Sequence, residues 1–271
     1  MLVRTISLLT AMAAVICAGC GGDGDGSTSA STATDGTGGG GAGGAGSAGG
    51  GGGAGGGLSD AAIEALYQAA ILDAKTAEPS EIVDTLVAIN PNNAGLIRDA
   101  SGRVLMSTWT SYPGYENSVG QEMILGEDVW TTPGRDLQGF CLKAGLSGEA
   151  LALRLEQILG LPPKAGYDRM VELWVPVEGM FRPSPDPEIT DSTAQLDFPP
   201  NTPQAHIDWI NNLTATSYGP DGYPWTRLGY TYDWSPDAMS EVGLSEIVIA
   251  KGTAVVVASV TPQDEYCLPK P

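Results

Sequence analysis

Apolar and polar positions change period several times along this chain, and each change marks an element. Behind Ser59 and Asp60, Ile63, Leu66, Tyr67, Ala70 and Ile71 recur at helical spacing, with either residue suited to cap the helix. The same spacing in Ile82, Val83, Leu86 and Val87 predicts a second short helix over 80–89, stopped by Asn90-Pro91. The period then falls to two. Residues 95–98 and 103–110 flank Asp99-Ala100-Ser101-Gly102, which predicts a hairpin. Residues 112–126 are polar, irregular and aromatic, and predict a loop able to present a ligand face.

A short strand over 128–132 ends at Pro133-Gly134, and a short helix through Leu137 and Phe140 carries Cys141. Ser147 caps a helix with Leu151, Leu155, Ile158 and Leu159 on one side. Gly160 ends it, and Pro162-Pro163 prevents its continuation. Over 169–177 Val171, Leu173 and Val175 share one strand face, while Met170, Glu172 and Trp174 share the other. Residues 180–200 are proline-rich and acidic, hence extended and on the surface. Thr202-Pro203 opens a helix with Ile207, Ile210 and Leu213 inward. The chain closes on YPWTRLGYTYDW and GLSEIVIAKGTAVVVASV, the densest aromatic and β-branched stretch. Helices interleave with hairpin-like strands, which predicts a single α+β domain with a mixed, mainly antiparallel sheet and several short helices.

Composition divides the 271 residues unevenly. Of 38 glycines, 20 lie between Gly21 and Gly57. Such a segment buries too little apolar surface to offset the entropy of ordering it, so 20–57 is read as a flexible tether and 58–271 as the folded domain. The whole chain carries a charge of −19; setting aside Arg4 and the three aspartates of the first 57 residues leaves −17 on the domain. That sign repels phosphate backbones and argues against nucleic-acid partners.

Residues 1–19 read as a secretory signal: Arg4 supplies the positive region, and an apolar run from Ile6 to Ile16 is too short to span a bilayer. The run ends in Cys17-Ala18-Gly19-Cys20, which resembles the lipobox of bacterial lipoproteins, although Cys17 stands where that family usually has leucine. The resemblance implies an acylated Cys20 as first mature residue and a membrane reached through lipid rather than a spanning helix. Gly21 replaces the aspartate that marks inner-membrane retention in that family, so the outer membrane or cell surface is the expected location.

With Cys17 removed and Cys20 acylated, Cys141 and Cys267 remain as an even pair in an exported domain, and a disulfide is the natural reading. His206 is the one histidine, which excludes multi-histidine zinc sites and HExxH chemistry. No GxSxG elbow accompanies it. Asp186, Glu188, Asp191 and Asp197 are close enough in sequence to suggest calcium, but they match no EF-hand spacing; a hydrated acidic loop is the plainer reading.

Two stretches suggest function. Tyr230, Tyr232 and Trp234 alternate, so with Trp225 they form either an exposed stacking platform for sugar rings or a partner protein, or part of the core. The region from Trp174 to Cys267 is also similar to bacterial exported proteins bearing a YPWTRLGYTYDW-like segment, a resemblance that implies no activity. Glu246, opening the strand SEIVIAKGTAVVV, is similar to the catalytic-glutamate strand of ADP-ribosyltransferase-like folds. That resemblance implies an NAD-splitting enzyme, with Glu246 stabilising the ribosyl cation and Arg182 holding an NAD phosphate. Neither the second glutamate (Leu244 stands there) nor the intervening serine-threonine-serine strand of that family is present. The sequence thus favours a lipid-anchored extracytoplasmic binding module with no cofactor. An NAD-using transferase or glycohydrolase and a structural envelope lipoprotein are the alternatives.

Overall fold

A computed structural model describes residues 58–268. The signal, Cys17, Cys20 and the tether over 20–57 lie outside the described residues. Ser59 caps α1 (Asp60–Ala74), its side chain accepting from the Ala62 amide. A 3-10 turn at Pro79–Glu81 follows. The strands are β1 (Val104–Thr110), β2 (Glu122–Ile124), β3 (Val129–Pro133), β4 (Arg169–Val175), β5 (Met180–Phe181), β6 (Tyr230–Tyr232), β7 (Val242–Ser245), β8 (Ile247–Ile249) and β9 (Ala254–Pro262). The helices α2 (Asp136–Ala144), α3 (Gly148–Ile158), α4 (Gln204–Ser217) and α5 (Gln263–Tyr266) interleave with them.

Seven strands form one sheet in the order β2-β9-β4-β1-β3-β8-β5, and β6 pairs with β7 in a small second sheet. Every named ladder is antiparallel. The architecture is therefore α+β, as the interleaved pattern predicts. The alternation in β4 divides the two faces as expected. Val171, Leu173 and Val175 join Val104, Met106, Ile247, Ile249, Val255 and Val257 in the main core. Met170 and Trp109 face the other way, onto Leu137, Cys141, Leu151, Leu155 and Tyr266 of α2, α3 and α5.

The helix expected over 80–89 does not form beyond its first turn. Its amides are taken by a distant segment: Leu86 N donates to Ser192 O at 3.1 Å, and Ile89 N to Ile189 O at 2.6 Å. Val87 N donates to Ser245 Oγ at 2.8 Å. β-Branched Ile82, Val83 and Val87 favour this extended course, and tertiary pairing outweighs the helical spacing. The irregular region 112–126 also contains more than a loop. A 3-10 segment, Pro113–Ser118, precedes β2, whose pairing with β9 makes it one edge of the sheet. The hairpin before β1 is reduced to the single bridge Arg98–Val104, closed by Gly102 N donating to Asp99 O at 3.0 Å. Among the described residues no helix is long and apolar enough to cross a membrane.

Cys141 of α2 and Cys267, just after α5, form a disulfide with Cα atoms 5.3 Å apart and a sequence separation of 126. The bond ties the chain's last turn to the α2–α3 layer. Gln138 Nε2 donates to Tyr266 O at 3.0 Å beside it. Closing so long a loop restricts mainly the unfolded chain, so replacing both cysteines by serine is expected to lower stability by about 2–4 kcal/mol. Urea unfolding of the oxidised protein and the double variant checks this.

Candidate functional site

The aromatic run YPWTRLGYTYDW does not lie on the surface as a row. Trp225, Tyr230 and Trp234 are buried and Tyr232 is half-buried, while Tyr223 at the start of the run is exposed. The strand lasts three residues and its register shifts between Tyr230 and Tyr232. Tyr230 therefore packs with Leu86, Ala194 and Leu228, whereas Trp234 packs with Tyr67, Ala70 and Ile71 of α1. The polar tip of each ring reaches another element. Trp225 Nε1 donates to Pro183 O at 3.1 Å, Tyr230 Oη to Glu81 O at 3.1 Å, and Trp234 Nε1 to Leu161 O at 3.0 Å. Tyr232 Oη donates to Asp73 at 2.8 Å. Desolvation, reinforced by nearby carboxylates, holds the hydroxyls of Tyr230 and Tyr232 far above the usual tyrosine range. Asp233 takes both amino groups of Arg154, at 2.9 and 2.6 Å. These side chains are the core alternative realised, and as a stacking platform the row is corrected: a buried face meets no ligand.

Arg182 is also structural. Its side chain is 0% exposed. Its Nε donates to Glu188 O at 2.8 Å and its Nη2 to Asp191 O at 2.9 Å, fastening the acidic loop after β5. Gly229, at φ +76°, allows this: a Cβ there would stand 2.7 Å from Arg182 Cδ. An arginine enclosed in this way offers no edge to a dinucleotide phosphate. Among the described residues Arg182 and Glu246 form no ion pair, although both adjoin Gly229, whose carbonyl accepts from the Glu246 amide at 2.9 Å. In the acidic loop, Asp186, Glu188 and Asp191 accept from the amides of Glu188, Thr190 and Thr193, which closes local turns. Among the described residues no group of three His, Cys, Asp or Glu side chains is placed to hold a metal ion.

Glu246 itself stands apart from these. It links β7 to β8, and its backbone amide donates to Gly229 O at 2.9 Å. Its half-buried carboxyl enters no hydrogen bond or ion pair among the described residues, and burial pushes it up to about 8. Two residues on, Val248 pairs with Trp130 of β3 and with Phe181 of β5, so the face that carries Glu246 is an aromatic one. Thr132, which follows the Thr131–Ile247 pair in β3, shares the sheet face of Trp130. Thr132 is 3% exposed and its hydroxyl has no partner among the described residues.

Five rings gather on this face, beneath α4. Trp130 and Trp209 stack at 5.9 Å, and His206 lies flat against Trp209 at 6.0 Å. Phe181 meets Trp209 edge-on at 5.0 Å, and Trp225 meets Trp209 edge-on at 6.1 Å. Asp128 fixes the Trp209 indole at 2.8 Å, and His206 Nε2 lies 2.8 Å from Ser184 O. Of the five, Trp225 alone is fully buried; Trp130, Phe181, His206 and Trp209 keep part of their surface in solvent. Clustered rings left half-exposed on the sheet face that also carries Glu246 form the most ligand-like arrangement among the described residues. Sequence reasoning missed it because its members come from four separated segments. The spacing of His206 and Trp209 on one helix face was the available signal.

The same sheet face bears a second polar group. Ser259, Glu172, Ser107 and Thr132 stand side by side across β9, β4, β1 and β3. Glu172, 6% exposed, accepts from Ser259 Oγ at 2.8 Å and Arg135 Nε at 3.3 Å. Tyr266 Oη lies 3.3 Å from Ser107 Oγ, and burial pushes this phenol up to about 12. This network satisfies Glu172 under the α2–α5 layer, which is a structural role.

Compared with known protein families, curated proteins and solved structures, the chain matches none.

The Glu246 carboxyl has a measurable signature. Below pH of about 4.5 both folded and unfolded chains hold its proton; between about 4.5 and 8 the unfolded chain releases it and the folded chain retains it. Stability is therefore lost as pH rises through that window. Glu246→Gln is expected to remove about 1–3 kcal/mol of this decline, seen as a gap between the two proteins' melting temperatures that widens from pH 5 to 8.

Proposed function

We propose that this chain is a binding module held outside the cytoplasm by lipid on Cys20, with residues 20–57 as tether. The ligand surface is the aromatic face of Trp130, Phe181, His206 and Trp209 with Glu246 at its side. What supports the reading is the half-exposure of four packed rings on the sheet face that also carries Glu246, whose carboxyl has no partner among the described residues. Aromatic rings cover the flat C–H face of a sugar well, and a glutamic acid that keeps its proton at neutral pH donates to a hydroxyl without the cost of burying a charge. A neutral carbohydrate of the cell envelope fits both features. The −17 charge of the domain argues against a nucleic acid as ligand.

Titrating the full chain with neutral oligosaccharides, read by tryptophan fluorescence, tests the surface. Trp209→Ala is expected to weaken binding at least about tenfold, or about 1.4 kcal/mol. The reading fails if no saccharide perturbs the emission, or if Trp209→Ala binds as the parent does. The anchor is tested separately: Cys20→Ser is expected to abolish labelling by a clickable fatty acid and to move the protein out of the membrane fraction. Continued labelling of that variant would overturn the assignment of Cys20.

A further inference from the structure

A cleft of about 320 Å³ opens where the start of β4 and the end of β9 meet the 3-10 segment 113–118. Val119, Val260 and Pro262 supply apolar walls, and Glu116, Asp168 and Arg169 supply the charges. Arg169 and Pro262 are register partners at the end of the β4–β9 ladder, while Val119 is bridged to Val257, so rigid strands shape much of the cleft.

The hydrogen bonds decide which sign of ligand the cleft takes. Arg169 is committed on three nitrogens: Nε and Nη2 to the two oxygens of Asp168, at 2.7 and 2.9 Å, and Nη1 to Glu116. Its side chain is 19% exposed, whereas those of Glu116 and Asp168 are 53% and 59% exposed. An anion therefore finds the guanidinium edges occupied by carboxylates. A cation finds two solvated carboxylates, held by one arginine, with net charge −1 and lone pairs unused. The bond to Arg169 keeps Asp168 below the usual carboxylate range.

We propose that this cleft binds a small organic cation, an ammonium on a short alkyl stem such as a basic peptide side chain presents. The ammonium sits between Glu116 and Asp168 and the stem lies on Val119, Val260 and Pro262. The site is separate from the aromatic face and does not depend on it.

The test uses the full chain and n-butylamine, with n-butanol as the neutral control, followed by amide ¹H–¹⁵N shifts. Butylamine is expected to give saturable shifts confined to residues 116–119, 168–169 and 260–261, at millimolar concentration and weakened by salt. Butanol is expected to give none there. Glu116→Gln, which leaves the Asp168–Arg169 pair in place, is expected to weaken binding at least threefold, and Asp168→Asn more; Glu265→Gln, in α5, is expected to change nothing. The proposal is overturned if butanol shifts the same amides equally. It is also overturned if butylamine shifts are spread over carboxylates across the whole surface, or if Glu116→Gln binds as the parent does.

Discussion

Hydrogen bonds from one segment, Trp225 to Trp234, to carbonyls and carboxylates of distant elements hold the domain together. Arg227 reaches Lys75 O at 2.8 Å, Tyr230 reaches Glu81 O, Thr231 reaches Ile158 O at 2.6 Å, and Trp234 reaches Leu161 O. Each of these acceptors lies at or near the end of a helix or turn, where backbone carbonyls lack intrahelical partners. The segment thus supplies donors where α1, the 3-10 turn and α3 leave acceptors. Apolar ring bodies fill two clusters while the polar tips satisfy the termini, so packing and capping come from the same side chains. Its backbone is shaped for this. Arg227 and Gly229 both adopt positive φ, and Thr226 Oγ1 closes the turn onto Tyr230 O at 2.7 Å.

With that segment fixed, the long sheet can differ on its two faces. One face is a continuous apolar core. The other is divided between the disulfide-tied α2–α3–α5 layer and the aromatic group beneath α4. Glu246 belongs to the strand that runs from the small sheet into the large one. Its carboxyl is half-buried, and among the described residues no cation is paired with it. A position that costs stability and is structurally unpaired is where ligand chemistry is most economically sought. Arg182, fully buried, is the contrasting case: its Nε and Nη2 donate to two carbonyls and Asp191 lies nearby, while its Nη1 has no partner among the described residues.

Much of the fold was legible in the residues. The period-two alternation of β4 assigned its two faces, the end of α3 followed from Gly160 and the start of α4 from Pro203, and Cys141 and Cys267 pair as expected. The helix expected over 80–89 was not legible, because the amides of Leu86 and Ile89 go to residues a hundred positions away. The site was less legible still. Alternation in YTYDW implies one shared face, and only the register shift after Tyr230 reveals that the rings part into separate clusters. The rings that do meet at the surface, Trp130, Phe181, His206 and Trp209, are brought together by the strand order β3-β8-β5, which no local pattern encodes.

Native-state hydrogen exchange of the amides from Thr226 to Trp234 tests most directly whether this segment fastens the domain. The account predicts that Leu228, Asp233 and Trp234, whose amides bond to Thr226, Glu241 and Gln157, exchange only with global unfolding and share its denaturant dependence. Fast exchange of these amides through local opening, while β1 and β4 stay protected, would contradict it. The YPWTRLGYTYDW run would then be a mobile surface element rather than the fastening of the fold.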